Sequence, residues 1–282
     1  MIGDIYDVVG SKQGWYTASV AEGFARQLGA TLVENIGRAD EVPRLRLSQM
    51  GDRCPSALWH SIHSPSLSEA LPPQARIKYT YGHVIEALVI AMAKAAGHEV
   101  TGEQDAVYVD GIRGSRDCVI DGCVVDVKSA SSMAYQKFKT GSIRMDDPFG
   151  YLAQLDGYVV GSLDDPLVRV KDRGYLLAVD KTLGHMCLYE HRVRPEFIHE
   201  RIAEYKQIVG LAEAPQCRCG TVADGKSGNI KLDMRASYSP QKHLCFPNLR
   251  TFLYASGPVY LTKVVRKPDV VEVDRDGKHV YN

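Results

Sequence analysis

The sequence lacks a surplus of charge of either sign. Its 282 residues contain 34 Lys plus Arg and 34 Asp plus Glu, so the formal net charge is zero. Nucleic-acid-binding proteins often carry a basic surplus. A neutral total counts against a uniformly basic surface, but local basic patches are compatible with it. Net charge therefore assigns no partner.

Long apolar runs are also missing. No stretch approaches the roughly 20 apolar residues needed to span a bilayer. The N-terminal residues lack the basic, apolar and cleavage-site pattern of a signal peptide. The 7 cysteines are an odd number in a long chain. These features predict a cytoplasmic protein with reduced thiols and no membrane partner.

Two familiar ligand-binding patterns are absent or out of context. The 9 histidines form no HExxH or similar metal-ligand spacing. Residues 220–227 match the phosphate-binding pattern GxxxxGKS, but no apolar strand precedes them and Gly228-Asn229 is a poor start for a helix. We interpret this match as chance.

Hydrophobic periodicity predicts an α/β or α+β core. Apolar residues at helical spacing predict helices over residues 15–29, 81–96, 149–160 and 195–213. Period-two patterns predict strands within 104–128 and over 174–180 and 186–190. The helix over 81–96 is apolar almost all round, so we expect it to be buried. Residues 215–228 are interpreted as a polar loop.

A tight hairpin is predicted at Asp121-Gly122, because both positions tolerate positive φ. Counting back from this turn places Asp117 opposite Asp126, with Cβ atoms about 5 Å apart. Lys128 points to the same side as Asp126. The opposite face is uniformly apolar and is expected to pack on a helix; it carries Cys118, Ile120, Cys123, Val125 and Val127.

Two opposed carboxylates repel each other. A divalent cation would remove the repulsion, since carboxylate oxygens are ligands for Mg²⁺ and Mn²⁺. A neighbouring lysine could then act on an attacking water while the cation neutralises charge on a phosphate. A solvated strand face with an ordinary Asp–Lys pair explains the hairpin equally well.

The flanking helices favour the metal interpretation. Glu86 is a charged residue within the apolar stretch 84–93, and acidic groups are seldom buried without a partner or a metal. Gln154 and Tyr158 are four residues apart and share a helix face. Taken singly, each has a simpler explanation: Glu86 at a helix edge, and Gln154 and Tyr158 as polar surface.

Four motifs occur in order: Gly82-His83-Val84-Ile85-Glu86, Gly114-Ser115-Arg116-Asp117, Asp126-Val127-Lys128 and Gln154-Leu155-Asp156-Gly157-Tyr158. Together they resemble the PD-(D/E)XK nuclease superfamily, in its RecB-like and phage-type exonuclease branch, which is related to the CRISPR adaptation exonucleases. The resemblance implies a restriction-endonuclease-like core, a mixed β-sheet flanked by helices, over residues 76–214. A helical N-terminal extension (1–75) and a C-terminal segment (215–282) that wraps on the core would complete the chain.

The resemblance also implies roles for individual residues. Glu86, Asp117, Asp126 and the backbone carbonyl of Val127 would bind one or two Mg²⁺ or Mn²⁺ ions, with Lys128 as the catalytic lysine. Gln154 and Tyr158 would position the site or the DNA. Three basic residues after the active strand are candidate phosphate contacts, or equally a solvated basic loop: Lys137, Lys139 and Arg144.

The implied function is hydrolysis of DNA phosphodiester bonds at DNA ends, in recombination, replication or phage DNA metabolism, together with a partner protein of that pathway. A phage-encoded enzyme would act in the host cytoplasm. Two alternatives stay open: a structure- or site-specific endonuclease, and a non-catalytic DNA-binding subunit on a nuclease scaffold. Strand polarity, strand preference and oligomeric state have no signature in these motifs.

The cysteines depart from the family pattern. Cys54-Pro55 resembles the first cysteine segment of relatives that carry a 4Fe–4S cluster and have three more cysteines, spaced C-x2-C-x5-C, near the C-terminus. Here Cys245 matches the last of these, but Ala236 and Ser239 replace the other two, and neither supplies a thiolate. The sequence thus predicts a lost or altered cluster. Cys217 and Cys219 are the alternative partners of Cys54 and Cys245.

Overall fold

The structure, a computed structural model, describes residues 1–12, 14–36, 42–70, 73–275 and 277–280. Two compact units are interleaved along the chain. The first comprises Met1–Gly51 and Pro72–Ile202, and the second Asp52–Leu71 and Ala203–Asn282. The three consecutive segments 1–75, 76–214 and 215–282 stay a prediction, since they divide the chain by expected role and not by internal contacts.

The first unit contains a five-stranded mixed sheet and a separate hairpin. Its strands are β1 Val100–Thr101, β2 Ala106–Val109, β3 Ile112–Ser115, β4 Cys118–Ile120, β5 Cys123–Ala130, β6 Arg173–Asp180 and β7 Met186–Arg192. The sheet order is β1-β4-β5-β6-β7, and β2 pairs with β3 alone. Only β5 and β6 are parallel within this sheet; the other pairs are antiparallel. This arrangement confirms a mixed α/β architecture.

Seven of the helices that the structure describes occur between residues 2 and 209, in the first unit and in parts of the second. They are α1 Ile2–Val9, α2 Ala18–Ile36, α3 Pro55–His63, α4 Pro73–Ala95, α5 Ser132–Thr140, α6 Tyr151–Val160 and α7 Pro195–Val209. The prediction that the second of these stops at Gly29 was wrong, because the helix continues to Ile36. Glycine is unfavourable in a helix interior but does not end a helix by itself.

Helix α5 was not predicted, although local signals for it exist. The Ser131 side chain accepts a hydrogen bond from the amide of Ala134 and caps the first turn. Gly141 ends the helix with φ of 75° in the left-handed region. Tyr135 and Phe138 are its buried residues, three positions apart on one side. Lysines and polar residues between them weaken the apolar pattern.

The predicted hairpin is confirmed. Asp121 and Gly122 have φ of 51° and 81°, and Ile120 pairs with Cys123 across the turn. Its apolar face packs on α4 in one core cluster, which includes Val89, Ile90, Ala93, Cys118, Ile120, Val125 and Val127. Cys123, expected on the same face, is only partly buried and lies outside this cluster. Burial of such side chains contributes about 1.5–3 kcal/mol each. The sheet is therefore held against a largely apolar helix, as the sequence predicts.

The second unit contains a second five-stranded sheet that the sequence did not reveal. Its strands are β8 Thr221–Ala223, β9 Ile230–Leu232, β10 Arg250–Tyr254, β11 Gly257–Lys263 and β12 Val271–Val273, in the order β12-β10-β11-β9-β8. Short helices α8 Met234–Tyr238 and α9 Lys242–Cys245 lie between strands along the chain. The expectation of a loop over 215–228 was wrong at β8, whose three residues are all exposed and so show no apolar alternation.

The GxxxxGKS match lies across β8 and the turn that joins it to β9. Gly225 has φ of 56° in that turn, and the next element is a strand. Phosphate binding by this pattern needs the amides at the start of a helix. The interpretation as a chance match is thus confirmed. Among the described residues, no helix is long and apolar enough to cross a membrane.

Helix α6 is tied to the first unit by a buried carboxylate. Asp156 is fully buried, and its Oδ1 lies 2.7 Å from Nε2 of His191. Its Oδ2 accepts bonds of 3.0 and 2.6 Å from the Arg194 guanidinium. Because α6 also carries Gln154 and Tyr158, this pairing fixes the helix that presents them.

We expect Asp156→Ala to destabilise the protein by about 2 kcal/mol, since the buried ring nitrogen of His191 loses its partner, whereas the partly exposed Arg194 guanidinium can be hydrated. Urea unfolding followed by circular dichroism measures the change. Asp172→Ala, which removes an exposed pair with Arg173, is the control and should leave the midpoint nearly unchanged. Equal midpoints for the two variants would contradict the anchoring role of Asp156.

Candidate active site

The centre of the site is a buried acid–base pair on β5. Asp126 is fully buried, and neither of its carboxylate oxygens has a well-directed hydrogen bond among the described groups. The Lys128 ammonium nitrogen lies 2.5 Å from Asp126 Oδ2. Residues two apart on a strand share a face, which brings the two side chains together. A buried carboxylate without hydrogen bonds is costly and suggests a ligand.

Asp117 lies immediately before β4, at the end of the hairpin ladder. Its Oδ2 accepts a hydrogen bond of 2.7 Å from the amide of Val127. The paired register ends at Cys118 and Val125, so Asp117 and Asp126 occupy the next positions, as predicted. The role of the Val127 carbonyl stays a prediction.

The carboxylates are close enough to perturb one another. The pKa of Asp117 is raised well above its usual value by burial and then by the charges of Asp126 and Glu86, which Lys128 only partly offsets. Burial also raises the pKa of Asp126 against the opposing effect of Lys128. Burial would lower the pKa of Lys128, but Asp126 and Asp117 outweigh it and raise that pKa. The site therefore holds more carboxylates than cationic groups in surroundings with little access to water.

Glu86 enters the site from α4. It is partly buried, and its Oε2 lies 3.8 Å from His83 Nδ1. Gln104 donates a side-chain hydrogen bond to Glu86 Oε1. The backbone N–H of Gln104 also donates to the backbone carbonyl of Asp117 at 3.1 Å. Gln104 was missed from the sequence; its φ of 58°, unusual for a residue other than glycine, belongs to the backbone and has no sequence motif.

Gln154 and Tyr158 lie on one face of α6, as predicted, and form a chain of hydrogen bonds that ends at Lys128. Lys128 Nζ donates to Gln154 Oε1 at 3.2 Å, and Gln154 Nε2 donates to the Tyr158 hydroxyl at 2.7 Å. Gly114 permits this packing, because a Cβ there would lie 2.7 Å from Tyr158 Cε1. Tyr151 was missed; its ring centroid is 4.7 Å from Lys128 Nζ.

Arg116 fixes the chain next to Asp117. It is almost completely buried, and its guanidinium donates to Ser162 Oγ at 2.9 Å. It also forms ion pairs with Asp105 at 3.0 Å and Asp165 at 2.5 Å. Arg116 lies within the Gly114–Asp117 motif, but the motif does not indicate its role. Its pairing makes it a positioning residue for the start of β4.

The three basic residues after β5 differ in their surroundings. Lys137, on α5, forms an ion pair of 2.5 Å with Asp146. Lys139, on the same helix, and Arg144, in the following turn, are exposed. Their contact with phosphate stays a prediction, and Lys137 would first have to leave Asp146.

The donor set fits a hard divalent cation. Three carboxylates interact electrostatically, one of them is buried without a well-directed hydrogen bond, and two have pKa values raised by burial and by neighbouring carboxylates. Mg²⁺ and Mn²⁺ prefer such oxygen ligands. Glu86, Asp117 and Asp126 are the residues that would hold the ion.

A cluster of four cysteines lies in the second unit. The Sγ atoms of Cys54, Cys217, Cys219 and Cys245 all lie within 4.8 Å of one another. These are the residues of the alternative ligand set. Ala236 is buried with Leu232 and Leu249. Ser239 Oγ lies 3.3 Å from Gln241 Oε1. The four thiols thus lie together without the two missing family positions.

No family model and no curated protein matches the chain. Among solved structures, the chain is similar to one described as the crystal structure of SSO0001, with a TM-score of 0.44, 14% identity and coverage of 78% of this chain and 95% of that one. It is also similar to an alkaline exonuclease (LHK-Exo) from Laribacter hongkongensis, with a TM-score of 0.36, 13% identity and coverage of 67% and 90%. The complex of LHK-Exo with dAMP gives 0.40, 15%, 67% and 90%. These likenesses are too distant to decide the function.

We expect Asp117→Asn to raise the melting temperature of the metal-free protein at neutral pH. The pKa of Asp117 is raised in the folded protein above its unfolded value of 3.8. Below pH 3.8 the carboxyl is protonated in both states and does not destabilise the fold. As the pH rises through the folded pKa, the protein loses stability, because the buried carboxylate becomes charged. A gain of about 1 kcal/mol would shift Tm by roughly 2–4 °C in a domain of this size. Calorimetry in EDTA from pH 4 to 8 measures the difference, which should grow with pH.

Mg²⁺ should then raise the Tm of the wild type more than that of Asp117→Asn, because binding to the folded state alone stabilises it. Asp164→Asn, at an exposed carboxylate, is the matched control and should behave as the wild type in both media. The same Tm for wild type and Asp117→Asn at every pH would contradict a destabilising repulsion of the Asp117 carboxylate by its neighbours.

Proposed function

We propose that the first unit is a metal-dependent nuclease of the RecB-like PD-(D/E)XK branch that hydrolyses DNA phosphodiester bonds. The observation that supports this best is the pair on β5: a buried Asp126 with unsatisfied oxygens beside a lysine held by Gln154. A structural ion pair would satisfy its buried oxygens with hydrogen bonds. A metal ligand need not do so before its ion binds.

Glu86, Asp117 and Asp126 would hold one or two Mg²⁺ or Mn²⁺ ions. When bound, such an ion polarises a phosphoryl oxygen and offsets charge that develops on the phosphate. The residues of the chain supply the rest. Asp117 is oriented by the Val127 amide, and Glu86 by the side chain of Gln104. These bonds leave other carboxylate lone pairs for the ion, since each carboxylate has about four.

Lys128 would orient the attacking water and stabilise negative charge on the phosphate. An ammonium group has three donors; one bonds to Gln154 Oε1, and a second faces Asp126 as an ion pair without a well-directed hydrogen bond. Its raised pKa favours the protonated form, so an electrostatic and hydrogen-bonding role is better supported than proton abstraction. Water would then approach the remaining donor.

The preference for an exonuclease that acts on DNA ends in recombination, replication or phage DNA metabolism comes from the motif resemblance. No contact in the site separates it from an endonuclease, because the choice depends on the shape of the DNA channel. DNA is the proposed substrate in either case, and a partner protein of the same pathway is part of the proposal. A purely DNA-binding role would leave the buried pair on β5 without a purpose.

We expect Lys128→Ala and Asp117→Ala each to lower the rate of DNA cleavage at least 100-fold, since each removes a preorganised charge or ligand. The assay compares linear and covalently closed DNA, single- and double-stranded, in Mg²⁺, Mn²⁺ or EDTA. Lys181→Ala, at an exposed lysine outside the candidate site, is the control for the loss of a positive charge. Cleavage that survives both site substitutions would refute the mechanism, and cleavage of closed circles would refute a strict exonuclease.

A second expectation concerns the hydrogen-bond chain from Tyr158 through Gln154 to Lys128. Gln154→Leu should lower kcat roughly 10- to 100-fold, because displacement of a catalytic group by about 1 Å costs up to that much. KM for DNA should change little, since Gln154 contacts Lys128 and not the bulk of the substrate. Steady-state kinetics on a labelled oligonucleotide measures both. Gln136→Leu, at an exposed position on α5, is the matched control; a change confined to KM would assign Gln154 to DNA binding instead.

A further inference from the structure

The four cysteines of the second unit come from three distant parts of its chain. Cys54 is the N-cap residue of α3, Cys245 is the last residue of α9, and Cys217 and Cys219 precede β8. Cys54 and Cys217 are 163 residues apart in sequence. Among the residues that the structure describes, these four form a group of possible metal ligands whose sulfur atoms all lie within 4.8 Å of one another.

The sulfur–sulfur distances indicate how many metal ions the site can take. Cys54 Sγ lies 3.8 Å from Cys217 Sγ and 4.0 Å from Cys245 Sγ. Two thiolates bound to one zinc ion at bonds of about 2.3 Å and a tetrahedral angle are about 3.8 Å apart. A disulfide would require about 2.05 Å. The distances therefore match the edges of a tetrahedron around one ion.

An iron–sulfur cluster does not fit this arrangement. In a 4Fe–4S cluster each cysteine binds a different iron at a corner of a cube, so the four cysteine sulfur atoms are spread around the outside of the cube. They are then held much farther apart than the ligands of a single ion. Here every pair of sulfur atoms lies within 4.8 Å. The 4Fe–4S cluster implied by the family resemblance would require all four side chains to spread.

Backbone amides support thiolate charge at two of the sulfur atoms. The amide of Arg218 donates to Cys54 Sγ at 3.3 Å, and that of Cys219 donates to Cys217 Sγ at 3.4 Å. Hydrogen bonds of this kind orient metal ligands and stabilise their charge. The C-x-C segment thus supplies two ligands together with two amide donors.

We propose that Cys54, Cys217, Cys219 and Cys245 bind one tetrahedral Zn²⁺ ion, which replaces the iron–sulfur cluster of the related nucleases. The ion fills a closed S₄ site with no position for substrate, as in structural zinc sites. It joins the segment before α3 to the segments before β8 and at the end of α9. Its role is to hold the second unit together, so this inference is independent of the chemistry proposed for the first unit.

The test uses the full chain without a metal-binding tag, expressed in medium that contains both zinc and iron and purified anaerobically. Mass spectrometry of the metals, a sulfide assay and an absorbance spectrum are measured together. We expect about one zinc per chain, as in a closed tetrahedral site, without sulfide or the visible absorbance of an iron–sulfur cluster. Iron bound by these cysteines, with or without sulfide, would overturn the proposal, as would protein free of any bound metal.

Two further measurements keep the test independent of folding. Replacement of the native ion by Co²⁺ in the wild type should give the visible spectrum of tetrahedral thiolate coordination; an octahedral spectrum would count against the site. The double variant Cys217→Ser/Cys219→Ser should lose the zinc. Cys123→Ser, at a partly buried thiol of β5 in the first unit, should keep it. Equal zinc content in both variants would overturn the assignment of ligands.

Discussion

The burial of Asp126 beside Lys128 is the interaction on which the candidate site depends. Strand β5 lies between β4 and β6, so both residues are fixed by backbone hydrogen bonds on two sides. One face of β5 packs in the core with α4, and the other holds a charge pair with no hydrogen bonds to the carboxylate. Such a pair is weak evidence for stability, because desolvation opposes attraction. Stability alone therefore does not account for burying this pair.

Helix α6 connects this pair to the rest of the first unit. Leu155 packs near Gly174 of β6, where a Cβ would lie only 2.8 Å from a Leu155 methyl carbon. Asp156 bonds to His191 and Arg194, and Gln154 reaches Lys128. Three consecutive residues thus contact the sheet, a buried ion pair and the site. Consecutive helical positions point about 100° apart, which lets a single turn serve all three.

The sequence was most informative where local rules determine geometry. The Asp121-Gly122 turn fixes the register by counting, and this brought Asp117, Asp126 and Lys128 together correctly. Long-range partners were harder to predict. Gln104 reaches Glu86 from a loop, and Cys217 reaches Cys54 across 163 residues. The C-terminal sheet was missed because most of its strands are short. Strand β8 is also fully exposed, so it lacks the apolar alternation that identifies a strand.

The interleaving of the two units has a consequence for synthesis on the ribosome. All of the first unit has been made once Ile202 is added, whereas the second unit begins with Asp52–Leu71 and resumes at Ala203. Cys54 precedes Cys245 by 191 residues. At roughly 5–20 residues per second, its thiol waits about 10 to 40 s for its last partner. Residues 52–71 are therefore made well before the rest of their own unit, and their contacts within it can form only after the intervening chain has been synthesised.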